Sequence, residues 1–232
     1  MKQYLIAAGL AGLLISSSGK ALAPPDNYAI PPSLIGSAQE CEPLDVVFLI
    51  DTTLSMRDYS LKRTEALVRS ASEISDRYPT TRYAVAAINE FAYNFRGPSL
   101  SGFSILSPFS SNPGDAIKTT RTIFLYDGGD EPEPYYHGLE QVAAMPWRSG
   151  ARRVVVLFAD AYDHQEGHVR SALAKNPYTL ITVTTLSLQS YWGRLSDTAL
   201  SFDSSDDSLR DELEALVDPR CKDDSKRKIC ML

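Results

Sequence analysis

Two short runs of the chain are apolar at nearly every position. Leu44 to Ile50 reads LDVVFLI, and Arg153 to Ala159 reads RVVVLFA. A strand with one wet face alternates polar and apolar positions, whereas a strand covered on both faces does not. Both runs are the length of a strand and rich in β-branched and aromatic residues, so they predict buried strands. Arg82 to Phe91 and Tyr178 to Leu186 read as further strands, and Phe103 to Phe109 as a short one. Helical spacing fills the intervals. Arg57 to Tyr78 places Leu61, Leu67, Val68, Ala71 and Ile74 at helical intervals and stops at Pro79. Pro113 to Thr122 opens behind Asn112, an N-cap residue followed by proline at the first helical position. Tyr135 to Met145, Asp163 to Lys175 and Ser208 to Val217 read as three more helices, the last with Leu209, Leu213 and Leu216 on one face. Apolar strands alternating with helices predict an α/β fold: a doubly wound, mostly parallel sheet with helices on both faces. Such folds build their sites in the loops after the strand C-termini. The loops after Ile50 and Ala159 are therefore the places to search.

The flanks read differently. Lys2 precedes an uncharged, mostly apolar run from Tyr4 to Ile15, and small residues follow to Ala21-Leu22-Ala23. That pattern is a secretory signal over residues 1–23, with export to a periplasmic or extracellular space. The run falls short of the ~20 residues that span a bilayer, and no later segment is long enough to do so. Removing Lys2 and Lys20 would take the net charge from −6 to −8. An acidic chain with no basic face argues against nucleic acid as a partner. Residues 24–43 carry five prolines and read as a linker or strap, residues 44–219 as one domain, and residues 220–232 as a basic, solvated tail. Export permits disulfides. Cys41 precedes the first strand, and Cys221 and Cys230 lie near the far end. Cys41 could join either if the ends meet, and one cysteine is left over.

Directly after the first strand stand Asp51, Thr53 and Ser55, one carboxylate and two alternate hydroxyls. Asp160 follows the second fully apolar strand. Oxygen donors of this kind suit hard divalent cations. The stretch DVVFLIDTTLSM resembles the opening of a von Willebrand factor type A domain, whose hallmark is Asp-x-Ser-x-Ser after the first strand. Thr53 replaces the first serine and keeps its hydroxyl. The run VVVLFAD is similar to the family's distal strand and aspartate, although Ala159 and Ala161 flank Asp160 here. The segment from Gly128 to Glu133 resembles the Gly-Gly-Asp-x-Pro-Glu loop of the branch that includes integrin beta I-like domains. The resemblance implies a metal-ion-dependent adhesion site of Asp51, Thr53, Ser55, Glu133 and Asp160, with Asp130 beside a second cation. It implies Mg²⁺, or Mn²⁺ or Ca²⁺, and a protein partner that offers an acidic side chain.

Other chemistry fits less well. Asp51-Thr52-Thr53 resembles a haloacid-dehalogenase nucleophile loop, but the second aspartate that such chemistry needs is Thr53. His164 and His168 share a helix face without the glutamate of a zinc protease. Trp147 and Trp192 read as packing residues. Asp51 and Ser55 could also serve only as helix caps. A binding module is thus the first expectation. A metal-assisted hydrolase on the same fold, or an envelope or secretion scaffold with a vestigial site, are the alternatives. Asp51 and Glu133 are expected to lie outside the core.

Overall fold

The computed structural model describes residues 41–57, 59–89, 102–125, 133–163, 165–176 and 178–221, all within the compact unit Glu40–Leu232. The signal, most of the strap, Asp130, His164 and Cys230 lie outside the described residues.

Six strands form one sheet: β1 (Leu44–Asp51), β2 (Arg82–Ile88), β3 (Phe103–Ser110), β4 (Arg152–Phe158), β5 (Thr179–Thr184) and β6 (Thr198–Ser201). Their order is β3-β2-β1-β4-β5-β6. Every pairing is parallel except β2 with β3. Pro108 in β3 has no N–H to give a ladder, and the strand accordingly sits at an edge. The chain leaves β1 toward β2 on one side and later returns to β4 on the other. The order therefore reverses between β1 and β4, where folds of this kind open a crevice above the strand C-termini.

All eight residues of β1 are buried. Its side chains alternate between two cores. Val46, Phe48 and Ile50 join Leu67, Val68 and Ala71 of α1 (Tyr59–Ser72), Ala116 of α2 (Pro113–Arg121), and Leu209 and Leu213 of α6 (Ser208–Leu216). Val47 and Leu49 join Leu139 and Val142 of α3 (Tyr135–Ala143), Val169 and Ala172 of α4 (Glu166–Lys175), and Trp192 of α5 (Gln189–Trp192). The doubly wound architecture follows from strands that are apolar on both faces. Gly138 lets α3 lie close: a Cβ there would overlap Ile88 Cδ1 and meet Leu49 Cδ2 at 3.3 Å.

Boundaries differ from the sequence reading in places. The helix expected over 57–78 is α1, flanked by 3-10 turns at Leu54–Met56 and Glu73–Asp76. α5 and β6 were not expected, since four residues are too few to show a period.

The pole at the N-terminal end of β1 is locked by charge and by sulfur. Asp45 is fully buried and accepts from Arg82 Nε and Nη2 at 3.0 and 2.7 Å, and from Arg148 N and Nε at 2.9 and 2.8 Å. Burial opposes its ionisation, but the hydrogen bonds from Arg82 and Arg148 outweigh burial and hold the carboxyl below its ordinary range. Cys41 and Cys221 form a disulfide with Cα atoms 5.1 Å apart. Beside it, Glu42 N donates to Asp218 Oδ2 at 2.9 Å.

Candidate functional site

β1 ends at Asp51, and the chain must turn at once to enter α1. Thr52 fixes the turn by donating both its N–H and its hydroxyl to Ile88 O, at 2.8 and 3.0 Å. Thr53 N–H then donates to Asp51 Oδ1 at 2.8 Å, so the carboxylate organises the loop that follows it. The 3-10 turn keeps the loop tight, with Met56 buried beneath as its anchor. Thr53 and Ser55 consequently project to the same side. Asp160 arrives two residues after β4, the neighbour of β1 across the reversal of strand order.

Four oxygens meet there. Asp51 Oδ1 lies 2.7 Å from Thr53 Oγ1, Thr53 Oγ1 lies 2.9 Å from Ser55 Oγ, and Ser55 Oγ lies 3.1 Å from Asp160 Oδ1. The chain has three contacts but only two hydroxyl protons when both carboxylates are ionised. With Thr53 donating to Asp51 and Ser55 donating to Asp160, the two hydroxyl oxygens face each other with lone pairs alone. Such an arrangement suits a cation. The spacing agrees: ligand bonds of ~2.0–2.1 Å in an octahedron put adjacent oxygens about 2.9 Å apart. The set is two carboxylates and two hydroxyls. Among the described residues, no group of three or more His, Cys, Asp or Glu side chains is placed to hold an ion.

Asp51 is 1% exposed and Glu133 5% exposed. Both therefore belong to the buried interior, contrary to the expectation that they lie outside it. For Asp51 the cause is its position as the last residue of a fully buried strand. Burial pushes its carboxyl up to about 6; hydrogen bonds from Tyr135 and Thr53 pull the other way, and the charge of Asp160 adds to the rise. Tyr135, at the start of α3, donates its hydroxyl to Asp51 Oδ2 at 2.5 Å. Burial, then the charge of Asp51, holds that phenol well above its ordinary value, with Asp160 and Glu133 contributing.

Glu133 sits on the neighbouring loop. Its N–H donates to Tyr162 O at 2.9 Å, and it forms an isolated parallel bridge with Asp163. Asp163 joins two helix starts, accepting from Tyr136 N at 2.7 Å and Gln165 N at 2.8 Å. Trp192 is buried and donates Nε1–H to Ala161 O at 3.2 Å, and Trp147 donates to Val142 O at 3.0 Å. His168 packs edge-on against Tyr136 at 4.9 Å.

No protein-family model matches the sequence, and no curated protein does. Solved structures do match in three dimensions. A von Willebrand factor type A protein from Catenulispora acidiphila is 12% identical with a TM-score of 0.57, over 75% of this chain and 42% of that one. The fold is that of a von Willebrand factor type A domain. Proximal thread matrix protein 1 of the mussel byssus is 15% identical with a TM-score of 0.56, over 78% of this chain and 49% of its own. The chain thus spans less than half the length of either. At these identities the likeness concerns the type A fold and leaves the chemistry of the site to the residues.

One residue beside the site was missed in the sequence: Tyr135 was read only as the start of a helix. Its partner Asp51 lies 84 positions away, and no local spacing announces such a pair. Trp192, read as a packing residue, is fully buried in the core as expected.

Proposed function

We propose that this type A domain is an exported binding module that takes a divalent cation at the Asp51 loop and uses it to hold a protein partner. The observation that carries the reading is the chain of four oxygens short of one proton, set where the strand order reverses. Asp51, Thr53, Ser55 and Asp160 would hold the ion, with Glu133 on the adjoining loop. Bound there, Mg²⁺ or Mn²⁺ would supply an electrophilic position for an acidic side chain of the partner. The hydroxyls add donors without adding negative charge, which keeps that position attractive to a carboxylate. Exposed Tyr162 and Leu186, in the loops after β4 and β5, and Tyr59 at the start of α1 give a partner apolar surface near the same pole. The Cys41–Cys221 disulfide supports export, since disulfides persist in oxidising compartments. Among the described residues no helix is long and apolar enough to cross a membrane.

Thermal unfolding in EDTA and in Mg²⁺ or Mn²⁺ tests the reading. At 100 times the dissociation constant the ion should add ~2.7 kcal/mol, a rise of roughly 5–10 °C for a domain of this size. Ser55→Ala and Asp160→Asn should reduce the rise while leaving the EDTA melting temperature near wild type. A wild type that melts identically with and without either ion, and keeps its partner in EDTA, would refute the mechanism in favour of a scaffold.

A further inference from the structure

The three central strands of the sheet begin with charge. Asp45 of β1 stands in register with Arg82 of β2 on one side and Arg153 of β4 on the other. Neighbours in register point to the same face, here the one that carries Val47, Ala84 and Val155 into the α3 core. Arg148, from the loop before β4, reaches the same carboxylate. A carboxylate has four lone-pair positions, two on each oxygen. Oδ1 of Asp45 accepts from Arg82 Nε and Arg148 Nε, and Oδ2 from Arg82 Nη2 and Arg148 N. No position is left for Arg153. Its guanidinium lies over the Trp147 ring instead, 5.9 Å from the centroid. Trp147 meets Phe109 at 5.0 Å, and Arg82 covers Phe109 at 4.8 Å. Glu42 and Asp218, at the same pole, are engaged by Arg152 and Arg220 at 3.0 and 2.6 Å. Three guanidinium groups thus surround one carboxylate, in a chain whose net charge is −6. The side chains of Arg82 and Arg148 are 24% and 29% exposed, so the cluster is partly buried yet open to a ligand.

We propose that this end of the sheet is a second docking surface, at which Arg153, flanked by Arg82 and Arg148, takes a carboxylate from an acidic segment of a protein partner. A guanidinium fork matches a carboxylate two bonds at a time. The aromatic rings hold the forks in place, so little side-chain freedom remains to be lost on binding. Half-buried Trp147 and Phe109 offer apolar surface beside the charge. Attraction to a membrane draws instead on protruding, flexible cations. The surface lies at the opposite ends of the strands from the Asp51 loop and needs no ion.

The test uses the oxidised full chain in EDTA, which leaves the Asp51 pole without an ion, and a fluorescein-labelled hexaglutamate peptide followed by anisotropy. The wild type should bind the peptide, and ~0.5 M salt should weaken the binding. Arg153→Gln should weaken it about tenfold, the effect of hydrogen bonds to a charged group. Arg153→Lys keeps the charge without the fork and should recover only part of the loss. Arg170→Gln, on the exposed side of α4, should bind as the wild type does. A folded Arg153→Gln that binds as tightly as the wild type would overturn the proposal, and so would an equal loss in Arg170→Gln, which would mean attraction to charge at large. A wild type that ignores hexaglutamate, or binds hexaglutamine equally well, overturns it too, and decides the matter if the Arg153 variants fail to fold. Phosphatidylglycerol vesicles that bind through Arg153 where hexaglutamate does not would replace the protein partner with a lipid surface.

Discussion

Asp51 is a carboxylate at the end of a buried strand, and keeping it ionised costs the fold free energy that can be measured without any metal. Its carboxyl stands at about 6, against 3.8 for an ordinary aspartate. A group raised in the folded state contributes stability that is fully present below the unfolded value and is lost as pH rises through the folded one. The difference amounts to ~3 kcal/mol across the whole window. About 2 kcal/mol of it falls between pH 4.5 and 7. The perturbation is Asp51→Asn, which keeps the shape, leaves an acceptor for Thr53, and lets the amide donate to Tyr135. Urea unfolding in EDTA, for wild type and variant at steps across pH 4.5–7, isolates Asp51 as the difference between the two curves. Relative to Asp51→Asn, the wild type should lose ~2 kcal/mol over that range. Saturating Mg²⁺ should flatten the wild-type curve, since the ion favours the ionised carboxylate, and binding near pH 5.5 should release a proton. A difference that does not vary with pH would mean that burial does not control this carboxyl, and the account of the site electrostatics would be wrong.

Two further outcomes follow from the opposite pole. The Cys41–Cys221 bond closes a loop with a sequence separation of 180, for which chain entropy gives a limit of ~5 kcal/mol. Replacing both by alanine should lower the urea midpoint by roughly 1–2 M, and a midpoint unchanged from the oxidised wild type would contradict the closure. Asp45→Ala should cost ~3 kcal/mol by stripping Arg82 and Arg148 of their shared buried partner, and a thermal scan within 1–2 °C of wild type would contradict that role. Because the Asp45 carboxyl is held low, its contribution is present above 3.8 and lost only as pH falls further, so Asp45→Asn should blunt the acid limb of unfolding.

The frame of the sheet was legible because β1 and β4 are apolar on both faces, a pattern that only a covered strand satisfies. Asp51, Thr53 and Ser55 were legible for a related reason: the strand end fixes where the loop begins, and alternate residues of a tight loop share a side. Asp160 was legible from the second such strand. What stayed hidden depends on choices between distant partners. Asp45 sits inside an apolar run and looks like an interruption until Arg82 and Arg148 close on it from 37 and 103 positions away. Cys41 could have joined either distal cysteine, and only the packing of α6 and the turn behind it brings Cys221 alongside. Tyr135 gave no local sign at all. The burial of Asp51 was misjudged because strand-end loops are usually wet, whereas here Tyr135 and the α3 face cover the carboxylate.

These features divide the molecule by pole along the same strand. At the start of β1, Asp45 accepts from the guanidinium groups of Arg82 and Arg148, and Cys41 and Cys221 are joined by sulfur. At the end of β1, Asp51 is raised by burial, and three oxygen contacts share two protons. Oxygens crowded this closely stay together only where the surroundings over-determine their positions. The eight buried residues of β1, paired with β2 on one side and β4 on the other, supply that rigidity. A looser strand would let the oxygens relax apart. The Asp51 pole is thus a set of oxygens held in place by a rigid strand, and a preorganised set of oxygens is what a cation requires in order to bind without rearranging the fold.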